Sequence, residues 1–181
     1  MEIERKFTIR SLPDGLDACA RHHIEQGYLS ADPVVRVRRE DERYYMTCKG
    51  RGLLAHEELE MALTPDAYRH LLSKADGIIL TKTRYLIPIA APRFADGYTP
   101  ASDPALRDFA GLTVELDVFE GQFTGLIIAE VEFPTLLMAQ KYLPEPWFRE
   151  DVTSALRFHN SSLSAVSDPA AWLAEFQTPA P

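Results

Sequence analysis

Cysteine is scarce in this chain. Two residues in 181, Cys19 and Cys48, cannot form a stapling framework, and they read as free thiols in a reducing compartment. Long apolar runs are missing too: no stretch approaches membrane-spanning length, and Met1-Glu2-Ile3-Glu4-Arg5-Lys6 lacks the apolar core of a signal peptide, so a cytoplasmic protein is expected. There is no net positive charge. The formal balance is −8, and the one basic run, Arg36 to Arg39, is followed at once by Glu40, Asp41 and Glu42, which argues against a nucleic-acid binder. The five histidines, His22 and His23 among them, show no ligand spacing with cysteine, which excludes the usual zinc arrangements. No internal repeat or low-complexity tract interrupts the chain. The 46% of hydrophobic residues is ample for one domain's core.

What is present is charge at strand spacing. Glu2/Glu4 with Lys6, Arg36/Arg38, Thr47/Lys49, Glu58/Glu60, Lys82/Arg84, Glu115/Asp117 and Glu130/Glu132 recur at i, i+2, which places each set on one face of its own strand. The alternate positions are oily: Ile3 and Phe7, Val35 and Val37, Leu59 and Met61, Leu116 and Val118, Val131 and Phe133. A solvated antiparallel face also alternates, and a single strand could not separate the readings. Eight carboxylates standing as four tight pairs ask for a cation, and acidic oxygens without His or Cys suit Mg²⁺ or Mn²⁺. The six bases on equivalent positions suit phosphate oxygens. A polyphosphate bridged by metal on its acidic side would satisfy both sets.

The expected order of elements is a strand at 2–10 and a helix from near Pro13 to Gln26, with Ser11 as cap, Leu16, Ala20 and Ile24 as its stripe and Gly27 past its end. Strands follow at 34–39, 43–49 and 55–62. A helix capped by Thr64, with Pro65 at its first position, runs to a stop at Gly77. Strands at 79–87, 112–119 and 126–133 flank a Pro- and Gly-rich excursion at 88–111, with a short helical turn at 103–109. A helix at 135–142, an irregular stretch through Asn160 and a terminal helix near 168–176 complete the chain. Trp147 and Trp172 fit core burial better than a partner surface. The predicted fold class is α+β, mainly antiparallel β with packed helices: an eight-stranded closed barrel or tunnel with a charged interior, helices covering its apolar outside. Residues 1–163 form the tunnel domain, with 164–181 a helix and tail packed on it.

The opening Glu2-Ile3-Glu4-Arg5-Lys6 resembles the Glu-x-Glu-x-Lys signature of the CYTH superfamily, the triphosphate tunnel metalloenzymes. Arg36-x-Arg38, Thr47-Cys48-Lys49-Gly50, Glu58-x-Glu60, Lys82-Thr83-Arg84-Tyr85, Glu115-Leu116-Asp117 and Glu130-Val131-Glu132 follow in the same order, most like the small bacterial inorganic triphosphatases. The resemblance implies metal-dependent hydrolysis of triphosphate. By position it places metal on Glu2, Glu4, Glu130 and Glu132, with Glu60, Glu115 and Asp117 close by. It places phosphate on Lys6, Arg36, Arg38, Lys49 and Arg84, and water activation on Lys82 with Tyr28. An ammonium beside a phenol favours the phenolate, a general base at alkaline pH, although Tyr28 on residue type alone reads as ordinary packing.

Two departures stand out. Where the family carries Val-Thr-x-Asp-Lys-Arg-Tyr-x-Asn, this chain reads Val152-Thr153-Ser154-Ala155-Leu156-Arg157-Phe158-His159-Asn160, so Arg157 alone keeps the charge of a segment that plugs the tunnel and meets substrate. The excursion at 88–111 is longer than the usual hairpin and either covers a mouth or stands in solvent. Rival readings are a class IV adenylate cyclase, a thiamine or nucleoside triphosphatase, and a non-enzymatic polyphosphate-binding module. A small-molecule triphosphate is the expected partner, with no nucleic acid and no membrane; a homodimer stays open.

Overall fold

The alternating segments pair into one antiparallel sheet. This computed structural model describes residues 2–49, 55–56, 58–102, 106 and 109–177. The strands are β1 (Glu2–Ile9), β2 (Ala20–Ala31), β3 (Val34–Glu40), β4 (Arg43–Lys49), β5 (Ala55–His56), β6 (Glu58–Ala62), β7 (Asp76–Ile89), β8 (Leu112–Phe119), β9 (Ile127–Glu132) and β10 (Phe148–Asp151). The helices are α1 (Pro65–Leu72), α2 (Leu136–Lys141), α3 (Asn160–Ser164) and α4 (Pro169–Gln177). The hydrogen-bonded order is β10-β1-β9-β8-β7-β2-β3-β4-β6, with β5 paired to β1. The antiparallel class is as expected. The count is ten strands rather than eight, and among the described residues no ladder joins β10 to β6, so the hydrogen-bonded path is open.

Register aligns the charged positions into one row. Glu4 pairs with Glu132 and Lys6 with Glu130, Glu130 with Glu115, Arg84 with Asp117, Gln26 with Arg38, Tyr28 with Arg36, and Arg36 with Thr47. Directly paired residues share a face, so all of these point to the same side of the sheet.

Two apolar clusters flank that row. On the opposite face, Phe7, Val114, Leu116, Val131 and Phe133 pack under Met138 and Ala139 of α2, and Phe7 stacks on Phe148 with ring centroids 4.6 Å apart. The second cluster lies on the charged face itself, because Leu80, Phe119 and Ile128 stand two residues from Lys82, Asp117 and Glu130. Phe158, Leu163 and Trp172 close over them. The expectation of helices only outside is therefore corrected: α2 covers the outer face, while side chains between Val152 and Phe176 pack into the inner one. Trp147 packs beside Phe148 and Trp172 joins the inner cluster, so both tryptophans serve cores. Leu59 and Met61 remain exposed.

The helix expected over 13–26 is a 3-10 turn at Leu16–Ala18 followed by β2. Leu16, Ala20 and Ile24 do keep helical spacing, but Ile24, Gln26 and Tyr28 keep strand spacing. The strand wins because it pairs along both edges, with β3 and β7. Thr64 caps α1 as expected, accepting from the Ala67 amide at 3.2 Å. The helix ends at Leu72 with Ser73 as its C-cap, and Gly77 lies in β7 with φ 68°, where a β-carbon would sit 2.2 Å from the Ser164 carbonyl oxygen. That glycine lets α3 lie directly on β7. The turn expected at 103–109 falls largely outside the described residues. Residues 93–98 of the excursion are strapped to the outer core, with Ala95 donating to the Lys141 carbonyl and Phe94 and Tyr98 in edge contact. No helix among the described residues is long and apolar enough to cross a membrane.

Candidate active site

Strands β1, β7, β8 and β9 bring three cations against four carboxylates. The Lys6 ammonium meets Glu130 and, at 3.0 Å, Glu4. Arg84 forks onto both oxygens of Asp117 at 2.7 Å, reaches Glu130 at 2.6 Å and also contacts Glu115. Lys82, fully buried, pairs with Asp117 and lies 5.3 Å from the centre of the Phe119 ring. Each charge alone would cost several kcal/mol to bury, and only mutual pairing makes the cluster tolerable.

The titration of these groups records the same contest. Burial brings the Lys82 amine down to about 8 against the pull of Asp117. Burial also works against charge on Lys6, but Glu130 and Glu4 outweigh it and hold the ammonium above its ordinary range. For Asp117 and Glu130, burial pushes upward and nearby cations more than reverse it, Arg84 and Lys82 for the first and Lys6 and Arg84 for the second. Glu115 goes the other way: burial raises its carboxyl despite Arg84.

Strands β2, β3 and β4 form a different wall. Arg38, buried, donates through Nε to the Gln26 amide oxygen at 2.9 Å and through a terminal nitrogen to the Tyr45 hydroxyl at 3.3 Å. Tyr45 donates to Glu40 at 2.6 Å, and the Gln26 amide nitrogen donates to the Tyr28 hydroxyl at 3.1 Å. Arg36 is buried on the same face between Tyr28 and Thr47.

Of the expected site residues, Lys6, Tyr28, Arg36, Arg38, Lys82, Arg84, Asp117 and Glu130 are buried on the one face, with Glu4 and Glu115 half-buried beside them. Glu115 and Glu132 line a cavity of about 330 Å³ with Gly111, Thr113 and Phe133. The side chains of Glu2, Lys49 and Glu58 lie outside the described residues. Glu60 is exposed and its described ion pair is with Arg43 at 3.5 Å. Arg157 is exposed and rests 5.1 Å from the centres of the Phe158 and Trp172 rings, which belong to the inner apolar cluster. Tyr28 and Lys82 share the face without meeting in register, since Tyr28 pairs with Asp76 and Lys82 with Ile24. Among the described residues no three acidic, His or Cys side chains converge as a metal-holding group, and both oxygens of Glu130 are engaged by Lys6 and Arg84.

Several participants escaped the sequence reading. Gln26 stands at strand spacing from Tyr28 on β2, and Tyr45 of β4 is the cross-strand partner of Arg38; reading 20–31 as a strand would have found the first. A latch also holds residues 151–153 on β1: Arg5 Nε donates to Asp151 at 3.0 Å and the Lys6 amide to Thr153 Oγ1 at 3.0 Å. His159 reaches the Thr153 carbonyl at 3.2 Å, and burial first, then the Lys6 charge, lowers its pKa.

No family model matches the chain. It is 35% identical over 167 residues to an inorganic triphosphatase of Nitrosomonas europaea, covering 90% of this chain and 96% of that protein. It is 29% identical over 170 residues to an inorganic triphosphatase of Acetivibrio thermocellus, covering 90% and 92%. A crystal structure of an inorganic triphosphatase superposes with a TM-score of 0.62 at 31% identity, over 93% of this chain and 97% of that one.

Proposed function

Since the chain belongs to the inorganic triphosphatase family, we propose that it hydrolyses inorganic triphosphate to diphosphate and phosphate on the charged face of its sheet. The observation that carries this reading is the buried row itself, three cations held against four carboxylates with Arg36 and Arg38 alongside. Lys6, Arg36, Arg38, Lys49 and Arg84 hold phosphate oxygens, Arg by its planar fork and Lys as a point charge. Binding exchanges partners: phosphate oxygens take the place of carboxylates at Lys6 and Arg84, so little net charge is stripped of its counter-ion.

The carboxylates so released fit a hard divalent ion, Mg²⁺ or Mn²⁺, because Glu4, Glu115, Asp117, Glu130 and Glu132, with Glu2 and Glu60, offer oxygen donors only. When bound, such an ion offsets negative charge on the phosphoryl oxygens. Tyr28 and Lys82 are the pair assigned to the attacking water, and burial of Lys82 supports this, since its amine reaches the neutral, basic form near pH 8. The water oxygen bonds to the terminal phosphorus, the bridging P–O bond breaks with its electrons passing to diphosphate, and the proton passes to this pair. The apolar end around Phe119 and Phe158 keeps bulk water from that side of the row. The same reading has the sheet closing into a tunnel, with β5 carrying the β6 end round to β1; the Glu2–His56 pairing supports it. Cys19 and Cys48, both free thiols, suit a reducing cytoplasm.

The test is a product panel: triphosphate, ATP and thiamine triphosphate with Mg²⁺ or Mn²⁺. The expected result is release of phosphate from triphosphate in preference to the other two. Cyclic AMP from ATP, or tight triphosphate binding without turnover, would replace this reading by a cyclase or by a binding module.

A further inference from the structure

The wall beside the ion-pair cluster, on β2, β3 and β4, contains a fully buried amide with no role in the chemistry described so far. Gln26 is 0% exposed and stands on β2 between Ile24 and Tyr28 at strand spacing. Its two ends are not interchangeable. Arg38 Nε can only donate, so the Gln26 carbonyl oxygen must face it, at 2.9 Å; the amide nitrogen then faces Tyr28 and donates to the phenol oxygen at 3.1 Å. The direction propagates from the other end too. Tyr45 spends its proton on Glu40, which leaves its oxygen to accept from Arg38. The chain from Glu40 through Tyr45, Arg38 and Gln26 to Tyr28 therefore has one allowed set of donors. At its end the Tyr28 oxygen is held as an acceptor and the phenol proton is left to point elsewhere; among the described residues it donates to none. A buried amide satisfied at both ends fixes the groups at each end as one unit.

We propose that Gln26 is a positioning residue of the triphosphatase reaction, setting the Tyr28 phenol for the attacking water and the Arg38 guanidinium for a phosphate oxygen through one amide. The proposal rests on the triphosphatase reading given above. A neutral residue is suited to the task. It aligns Arg38 without cancelling the charge that an anionic substrate needs, which a carboxylate at the same place would do.

Two mutant cycles test it, run on the full chain with triphosphate and divalent metal. In the first, Gln26→Leu lowers kcat tenfold or more in the Tyr28 enzyme but less than twofold in a Tyr28→Phe background, because the phenol it sets is already gone. In the second, Gln26→Leu weakens triphosphate binding by calorimetry about fivefold with Arg38 present and less than twofold in Arg38→Ala. Gln26→Glu serves where Leu disturbs folding, since it keeps an acceptor for Arg38; its expected signature is a kcat loss that again disappears in Tyr28→Phe. Equal, multiplicative losses in every background would mean a merely structural amide and overturn the proposal, as would full turnover in Gln26→Leu or in Tyr28→Phe. A wild-type chain inert toward triphosphate would instead refute the underlying reading, and that outcome is visible before any variant is made.

Discussion

The two walls of the charged face solve the problem of buried cations in opposite ways. Along β1, β7, β8 and β9, Lys6, Lys82 and Arg84 are neutralised by Glu4, Glu115, Asp117 and Glu130. Along β2, β3 and β4, the groups that hold Arg38 among the described residues are neutral, the Gln26 amide and the Tyr45 phenol. The first wall is balanced until something separates its pairs; the second offers an oriented positive charge. A triphosphate with a divalent cation is the kind of ligand that suits both, since the anion can engage either wall while the cation takes over the carboxylates of the first.

Breaking the balanced wall should have the largest effect. Asp117→Ala leaves Lys82 and Arg84 buried with fewer counter-charges, and a loss of about 3–5 kcal/mol is expected in urea denaturation. A loss below about 1 kcal/mol would mean that the cluster is wetter or looser than described. Lys82→Met removes a cation but leaves Asp117 its Arg84 fork. Turnover should fall at least about 100-fold while stability at neutral pH changes little or improves. The sign of its pH dependence is fixed by burial. The folded amine titrates at about 8, below its unfolded value, so burying the ammonium opposes folding in full below pH 8. That opposition is relieved as pH rises toward about 10.4. Wild type should therefore gain stability relative to Lys82→Met between pH 7 and 10, and a constant difference across that range would contradict the assignment.

The neutral wall should respond more mildly. Arg38→Lys keeps the charge but loses the fork that spans Gln26 and Tyr45. Triphosphate affinity measured by calorimetry should drop about tenfold, and an unchanged Kd would remove Arg38 from the binding set. Smallest of all, Arg157→Ala should alter stability by less than about 1 kcal/mol and leave the triphosphate KM where it was, because its guanidinium rests on Phe158 and Trp172. A large rise in KM would place Arg157 in the substrate-binding set.

Period-two charge made β1, β3, β4, β7, β8 and β9 legible, since a residue pattern that is oily on one side and ionic on the other has few other solutions. It also identified Lys6, Arg38, Lys82, Arg84, Asp117 and Glu130 before any pairing was visible. The segment 13–26 misled because Leu16, Ala20 and Ile24 satisfy a helical stripe as well, and only the pairing of β2 with both β3 and β7 decides between them. Gln26 went unnoticed as a consequence. Strand β10, four residues beyond Pro144 and Pro146, is too short and too charged to show alternation; Arg5 and Asp151 hold it from a distance of 146 positions in the chain. The inner apolar cluster was hidden for a related reason. Leu80, Phe119 and Ile128 sit on the charged side of their strands, and the side chains that cover them come from the C-terminal segment.

The most direct test follows ³¹P resonances of inorganic triphosphate incubated with the protein and Mg²⁺ or Mn²⁺, beside a Glu130→Gln variant. Equal growth of diphosphate and monophosphate signals in the wild type, lost in the variant that disconnects Lys6 from Arg84, is the result expected here. Triphosphate that persists unchanged with the wild type, or that is consumed equally by both proteins, would contradict it.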